Sequence, residues 1–586
     1  MIKLLSNLNK KDRFMIIIIA LLVIFSVFLD LRMPEYMSKI TQLVQTEDST
    51  MKDIIAAGGH MLLCAIGSMA TLIIICYFSS LLAANFSKNI RRKVFTKVEN
   101  FGIAEIKKFK TSSLITRTTN DITQIEMLLA MGLQLLIKSP VMAVWALLKI
   151  VGKSGELSMI TATGVVIIVI TNLLIIKTVT PRFEKMQKLT DQVNGVTREN
   201  LTGIRVIRAF NAEGFQKDRF EKVNNDLTDT QLANQRTFAV MQPMMNFVMH
   251  FQHLGIYFIG AILITKVGMI DKINLFSNMV VFSSYGMQVI ISFLMLTMIF
   301  MILPRAQVSA KRINEVLEEE ISIKDGTFDG DTKEKGIVEF KNVSFRYPDA
   351  DEDIIKNISF KVNKGQTIAF IGSTGSGKST LINLVPRLYD VSDGEVLVDG
   401  VNVKEYKLEA LNNKIGYISQ KAVMFNGTVK DNIAYGDNGK GKPSLEKIKE
   451  AIAVAQATDF VEAMDKKYEA HIARGGTNVS GGQKQRLSIA RAIARDPEIY
   501  IFDDSFSALD YKTDSTLRKE LKKYTKDATS MIVAQRIGTI MHADIIVVLD
   551  KGECVGIGTH KELLKTCAVY KEIALSQLSE EELSNA

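Results

Sequence analysis

The hydrophobic pattern divides the chain into two parts. Up to about residue 305, long apolar runs alternate with basic polar segments; beyond it, short apolar stretches alternate with amphipathic ones, as in a water-soluble α/β domain. The apolar runs begin around Phe14, Ala56, Met127, Leu157, Thr237 and Phe276. Each approaches the ~20 residues that cross ~30 Å of hydrocarbon, so six transmembrane helices are expected. The first run follows the basic stretch "MIKLLSNLNKKDR" with no small-residue cleavage site after it, and reads as a retained span. Lys and Arg set the orientation. They crowd the segments between runs two and three (Lys88 to Arg117) and between runs four and five (Arg182 to Lys222). The opposite side carries only Arg32, Lys39, Lys52, Lys153, Lys266 and Lys272. Basic loops stay inside, so both termini are expected in the cytoplasm. The two basic segments hold few helix breakers and are expected to prolong the spans below the membrane. Lys138 and Lys149, inside the third run, have stems long enough to snorkel to an interface.

After Pro304 the texture changes. Residues 1–316 read as the transmembrane domain, the acidic, Gly/Asp-containing 317–335 as a linker, and 336–586 as an α/β domain. The composition is 47% hydrophobic, in keeping with a membrane protein. The net charge of +9 comes from Lys and Arg that flank apolar runs, which argues against nucleic acid as a partner. The four cysteines form no C-x-x-C pair, so neither a disulfide framework nor a zinc site follows.

The second part carries the chemistry. "IAFIGSTGSGKSTLINLV" is an apolar strand, a glycine-rich turn and a helix start. Gly372, Ser373, Thr374, Gly375, Ser376, Gly377, Lys378, Ser379 and Thr380 fit the phosphate-binding loop G-x-x-x-x-G-K-[ST]. Glycines let backbone N–H groups close around phosphate oxygens, Lys378 reaches the β/γ-phosphates, and the Ser379 hydroxyl is placed to ligate Mg²⁺. ATP or GTP is therefore the expected ligand. "IYIFDD" is a second apolar strand, ended by Asp503, an acid suited to hold Mg²⁺ through water. Between them, "NVSGGQKQRLSIARAIARDP" opens a helix on two glycines, a second anion-binding helix start in one domain. One nucleotide does not need both. Ser480, Gly481, Gly482 and Gln483 are therefore expected to face a nucleotide held by another subunit.

These motifs, in this order, resemble the ATP-binding cassette (ABC) exporters across nearly the whole chain, as half-transporters with one six-span domain and one P-loop nucleotide-binding domain. "SGGQKQR" resembles that family's signature motif, and "FRYPD" its adenine-stacking loop with Tyr347 as the aromatic. "IGYISQ" resembles the loop whose glutamine, here Gln420, contacts Mg²⁺ and the transmembrane domain, and "SALD" (Ser507–Asp510) the loop that crosses to the partner. "LITRTTND" and "ENLTGIRVIRAF" resemble the family's cytoplasmic-loop sequences. The resemblance implies ATP and Mg²⁺ as cofactors, a second half-transporter and membrane lipid as partners, and a place in the bacterial plasma membrane.

Two departures stand out. The family usually has Glu after the strand-ending Asp, to orient the attacking water; here it is Asp504, one methylene shorter and set back by roughly one C–C bond, about 1.5 Å. In "MIVAQR", Gln535 replaces a histidine that contacts the γ-phosphate, and an uncharged amide stabilises developing phosphoryl charge less well. Within the family this pairing resembles the degenerate subunit of heterodimeric bacterial exporters, which binds ATP at its own site more than it hydrolyses it while its signature motif completes the partner's competent site. Val479 stands for the usual Leu of the signature, and Arg474 for a usual Glu. Two other readings stay open: a slow homodimeric lipid or peptide exporter, and a nucleotide-gated regulator that does not pump.

Cargo leaves weaker traces. Gln242, Asn246, His250, His253 and Tyr257 recur at helical spacing on one face of the fifth run, and the sixth carries Gln288 among small polar residues and methionines. Polar residues in a span line a wet cavity or join helices, and both readings apply. The thioethers suit a polyspecific site for hydrophobic or amphipathic, drug-like compounds.

Overall fold

The computed structural model describes residues 2–46, 49–151, 154–266, 268–436 and 438–578; Lys153 lies outside them. The chain forms two compact units, one of Met1–Glu99 with Lys110–Glu319 and one of Asn100–Phe109 with Glu320–Ala586.

Among the described residues the first unit has six helices long and apolar enough to cross a membrane: Lys10–Gln45, Met51–Glu99, Thr111–Ile150, Gly155–Thr202, Glu213–Thr265 and Asp271–Glu318. At ~1.5 Å per residue, the longer ones reach ~70 Å, more than twice the hydrocarbon thickness, so they continue well beyond it. The third is not one uniform helix; a π turn at Leu128–Gly132 interrupts it. The sixth lies at the centre of the packing. Its Val281, Phe282, Tyr285 and Val289 share a core with Val27 and Leu31 of the first span, Met142, Ala146 and Ile150 of the third, and Ile256 of the fifth. Large apolar side chains such as Leu63, Leu174 and Phe258 point outward, where lipid rather than water is the compatible solvent.

Lipid tails are as apolar as leucine, so association of spans rests on close packing and polar contacts. Both occur here. Gln252 of the fifth span donates to Thr161 Oγ1 at 3.5 Å and lies against Gly286 of the sixth; a Cβ at Gly286 would stand 1.5 Å from Gln252 Nε2. Tyr285 OH donates to the Leu31 carbonyl at 2.9 Å, and Gln288 Nε2 to the Asp30 carbonyl at 3.3 Å.

Lys138 and Lys149 are both paired with acids of the first span. Lys138 Nζ lies 3.1 Å from Asp30 Oδ2, whose other oxygen accepts from Ser68 Oγ at 2.5 Å. Lys149 Nζ lies 2.7 Å from Glu35 Oε1, and Arg32 holds the second oxygen of Glu35 at 2.9 Å. The first and third spans are thus joined by two ion pairs, in which each half-buried ammonium is matched by a carboxylate of the first span. Replacing Lys138 with Ala strands Asp30, and is expected to cost ~3 kcal/mol. The double variant Lys138→Met/Asp30→Asn should recover most of that loss in thermal unfolding of the full chain in one detergent.

The second unit is built on two large sheets and a two-stranded ribbon, Gly427–Thr428 with His471–Ile472. Strands β1 (Val338–Phe345), β2 (Ile355–Val362), β3 (Thr367–Gly372), β4 (Asp393–Val398), β5 (Val401–Asn402), β6 (Ile415–Ile418), β7 (Gly427–Thr428), β8 (His471–Ile472), β9 (Ile499–Asp503), β10 (Thr529–Val533), β11 (Ile545–Asp550) and β12 (Glu553–Gly558) follow in chain order. The larger sheet runs β12-β11-β3-β10-β9-β6; its strands are parallel except for the edge strand β12. A four-stranded antiparallel sheet runs β2-β1-β4-β5. β3, β9 and β10 are almost wholly buried and apolar, as strands covered on both faces must be. Their carboxyl ends lie side by side, with Asp503 in register with Val533, and ligands of open parallel sheets bind at such ends.

The acidic stretch before β1 is pinned to this unit. Phe328 packs edge-on against Tyr406 at 5.0 Å, Asp325 Oδ1 accepts from Leu408 N at 2.7 Å, and Thr332 joins the buried cluster of Lys414 with Asp399 and Glu498.

Candidate nucleotide site

The phosphate loop follows β3. Gly372, Gly375 and Gly377 have φ of 154°, 87° and 96°, the last two in the left-handed region that favours glycine. Space is also short: a Cβ on Gly372 would stand 2.0 Å from the Leu549 carbonyl oxygen. Lys378 folds back into this loop. Its Nζ donates to the carbonyls of Gly372 (2.9 Å) and Ser373 (2.7 Å) and to Ser376 Oγ (3.3 Å). Those are acceptors that phosphate oxygens can replace. Burial holds the Lys378 ammonium below its ordinary pKa, with the charges of Asp504 and Asp503 working against that shift.

Asp503 ends β9, and its Oδ1 accepts from Ser379 Oγ at 2.6 Å. Tyr417, at the end of β6, donates to Asn383 Oδ1 at 2.9 Å and approaches Asp503 Oδ2 at 3.5 Å. Asp504 comes next, at φ 47°, with its N–H given to the Val533 carbonyl at 3.0 Å. This left-handed turn aims its carboxylate at the loop after β10. Gln535 Nε2 donates to Asp504 Oδ2 at 2.8 Å, and Gln420 Nε2 to the same oxygen at 3.3 Å. Burial raises the pKa of both aspartates above the ordinary carboxylate value, foremost through desolvation; the two glutamine amides pull Asp504 partly back. Thus the phosphate loop, Ser379, Gln420, Asp503, Asp504 and Gln535 converge at the carboxyl ends of β3, β9 and β10.

Tyr347 lies after β1. Its hydroxyl is 3.0 Å from Thr380 Oγ1, beyond the phosphate loop's lysine, and Phe345 and Tyr389 meet its ring edge-on at 4.9 and 5.2 Å. The ring is thereby held rigidly enough to act as a platform. Lys107, on the short helix Ile103–Phe109, places its Nζ 4.8 Å from the ring centroid of Tyr347. Nothing in the sequence marks Lys107 as belonging to this site, since it is one basic residue in a basic segment far upstream. Tyr417 was equally hidden, as an aromatic at a strand end reads as core.

Ser480 caps the helix Gly481–Arg495. Its Oγ accepts from Gln483 N at 3.3 Å, and Gln483 Oε1 accepts from Ser480 N at 2.9 Å. Ser480 and Gly481 are exposed, and no atom lies within 4 Å of a Cβ built on Gly481. Gln485 on this helix donates to the Ser419 carbonyl at 3.2 Å, next to Gln420.

The family described as "ABC transporter" matches residues 355–507, which hold the phosphate loop, the capped glycine helix and both aspartates; "ABC transporter transmembrane region" matches 16–301. An uncharacterized ABC transporter ATP-binding protein of Mycobacterium tuberculosis (strain H37Rv) is 38% identical over 524 residues, 89% of this chain and 87% of its own. The chain belongs to the ABC transporter family. A putative multidrug export ATP-binding/permease protein of Bacillus subtilis (strain 168) is 32% identical over 519 residues, 85% of this chain and 84% of its own. An ATP-dependent lipid A-core flippase of Pseudomonas aeruginosa is 32% identical over 472 residues, 80% of this chain and 76% of its own. The fold matches the structure of a bacterial Atm1-family ABC exporter with ATP bound, at a TM-score of 0.80 and 21% identity, over 97% of this chain and 100% of that one. The protein is thus a multi-pass ABC exporter half-transporter, with an ATP-binding domain whose hydrolysis is coupled to transport.

The polar stripe of the fifth span is not buried within the chain. Gln242, Asn246, His250 and Tyr257 are exposed and His253 half-buried, while Met245, Val248, Gln252, Ile256 and Gly260 form the buried face. Gln288 is instead engaged with the first span.

Proposed function

We propose that this ABC exporter subunit works in a heterodimer in which its own ATP site is the slow one. The observation that carries the reading is the 2.8 Å hydrogen bond from Gln535 to Asp504: the two departures from the family meet on one carboxylate. The amides of Gln535 and Gln420 both donate to Asp504 Oδ2, and neither carries the charge that the family's histidine can bring to the γ-phosphate. The carboxylate is short by about 1.5 Å, and a misplacement near 1 Å costs about 100-fold in rate. ATP bound here through Tyr347, the phosphate loop and Asp503 then serves as a tether, and hydrolysis at the partner's site resets the pump. Ser480, Gly481, Gly482 and Gln483 complete that second site; the exposure of Ser480 and Gly481 supports the assignment. So does the exposure of Phe210, before the fifth long helix, and Phe215, in its first turn, apolar rings that a second chain would cover.

Ser379, Gln420 and Asp503 would hold Mg²⁺. They supply neutral and anionic oxygens, which suit a hard cation, and the Ser379 hydroxyl already lies against the Asp503 carboxylate. The metal supplies charge neutralisation for the phosphates. We place the subunit in a bacterial plasma membrane with both termini cytoplasmic, divided into residues 1–316, a linker 317–335 and 336–586. Its cargo is hydrophobic or amphipathic; the exposed stripe from Gln242 to Tyr257 supports a cavity wall shared with the partner.

The test is made with the co-expressed partner in inverted vesicles. Replacing the partner's phosphate-loop lysine should abolish ATP-driven substrate accumulation and nearly all ATP turnover. Full turnover in that pair would sink the assignment. Unchanged accumulation and turnover by this chain alone would favour the homodimeric exporter, and ATP binding without accumulation in any pairing would favour the regulator.

A further inference from the structure

The loop that carries Gln535 is held from an unexpected direction. β10 ends at Val533, and the chain then runs extended through Arg536 (φ −102°, ψ 127°) into the short helix Ile537–Ile540. Across this segment lies the side chain of Gln577, just past the helix Ala568–Leu575 near the chain's end. Its Nε2 donates to the Gln535 carbonyl at 2.8 Å, and its Oε1 accepts from Ile537 N at 2.9 Å. One amide group therefore pairs with both backbone groups flanking Arg536, as a neighbouring β-strand would. The helix that presents Gln577 is anchored. Tyr570 and Ala574 are fully buried in the same core as Ile546 and Val548 of β11, and Gln577 N donates to the Ala574 carbonyl at 3.1 Å. One residue further on, Arg518 Nη1 donates to the Gly538 carbonyl at 2.6 Å, so the short helix is held from a second side while the Gln535 carbonyl and the Ile537 amide are met by Gln577.

We propose that Gln577 is a positioning residue for ATP hydrolysis at this chain's site. It fixes the backbone of Gln535 so that the Gln535 amide meets Asp504 and, when nucleotide is bound, the γ-phosphate. A continuous hydrogen-bonded path joins the C-terminal helix to the water-orienting carboxylate: Gln577 to the Gln535 backbone, and the Gln535 side chain to Asp504. The Gln577 side chain is exposed, so the path is open to competition from water and to anything that displaces the C-terminal helix. The role rests on the reading that Gln535 faces the γ-phosphate.

The alternative is that Gln577 merely closes a surface turn. Hydrogen exchange and single-turnover ATP hydrolysis, both on the full heterodimer in lipid nanodiscs with the partner's phosphate-loop lysine replaced, separate the two. Gln577→Ala should speed exchange of the Ile537 amide about tenfold. Gln577→Glu keeps the acceptor for that amide and should leave it protected. Gln577→Ala should also slow the single-turnover rate about fivefold with ATP affinity changed less than about twofold, the size of effect that one or two surface hydrogen bonds allow. In a Gln535→Ala background the same change should add less than about twofold, because residues acting through one group are not additive. Unchanged exchange at Ile537 in Gln577→Ala overturns the clamp. An equal slowing with and without the Gln535 side chain overturns its action through Gln535. Faster exchange with turnover unaffected in both Gln577→Ala and Gln535→Ala overturns the γ-phosphate reading of Gln535, and the positioning role with it, while leaving the clamp in place.

Discussion

Changing Asp504 to Glu and Gln535 to His together is expected to raise ATP turnover at this chain's own site by about 100-fold, whereas Asp504→Glu alone should raise it only a few-fold. The geometry explains the inequality. Asp504 is turned by its left-handed backbone toward Gln535, and its carboxylate lies 2.8 Å from the Gln535 amide. A longer acid reaches further toward the nucleotide but still faces a neutral amide where the family's histidine can carry charge, and the developing phosphoryl charge gains little. Single-turnover hydrolysis, measured with the partner's phosphate-loop lysine replaced, isolates this site. Full recovery from Asp504→Glu by itself would mean that Gln535 is not limiting. The pH profile gives a second check. Burial raises the pKa of Asp504, so its carboxylate takes up a proton at a higher pH than an exposed aspartate does as the medium is acidified. The acid limb of turnover at this site should therefore begin above the ordinary aspartate range.

The second large effect concerns binding. Lys378→Ala should weaken ATP binding at this site by about 100-fold or more, because two charge-assisted hydrogen bonds to phosphate are lost at ~1.5–3 kcal/mol each. Lys378 now spends those hydrogen bonds on the Gly372 and Ser373 carbonyls, which positions the ammonium in the loop before nucleotide arrives. Its removal also leaves Asp503 and Asp504, both buried, without a nearby ammonium. Binding of a fluorescent ATP analogue to the full heterodimer should then show one high-affinity site instead of two. Two unaltered sites would refute the assignment of the loop. Turnover should persist at the partner's site, slowed by loss of the tether.

These two experiments address different halves of the subunit's proposed asymmetry. The first asks why ATP held here is hydrolysed slowly; the second asks whether it is held here at all. Lys378 sits within the phosphate loop itself, while Asp504 and Gln535 come from the ends of two adjacent parallel strands. Loss of binding and gain of turnover are therefore separable by substitution.

Much of this could be read along the chain. Membrane spans are legible because hydrocarbon admits only long apolar helices with their backbone groups internally paired. The phosphate loop is legible because it is local: its glycines, lysine and serine lie within nine residues from Gly372 to Thr380, and their conformational demands show in the residue types themselves. Asp503 at the end of an apolar strand, and the Ser480 cap with Gln483 three residues on, are local in the same sense.

What the tertiary structure decided are contacts between residues far apart in sequence. Lys138 and Lys149 showed no partner in the sequence; packing of the third span against the first set Asp30 and Glu35 beside them, and two ion pairs resulted. Lys107 and Gln577 looked like ordinary polar surface until folding set one over Tyr347 and the other across Gln535 and Ile537. The substitutions at Asp504 and Gln535 were visible as two separate departures; only the register of β9 beside β10 makes them one hydrogen-bonded pair. Sequence alone determined the local chemistry, since backbone conformation and residue type act over a few residues. Which distant side chains share that chemistry was left to the fold, because parallel strands joined by long connections bring their ends together with no trace in spacing or period.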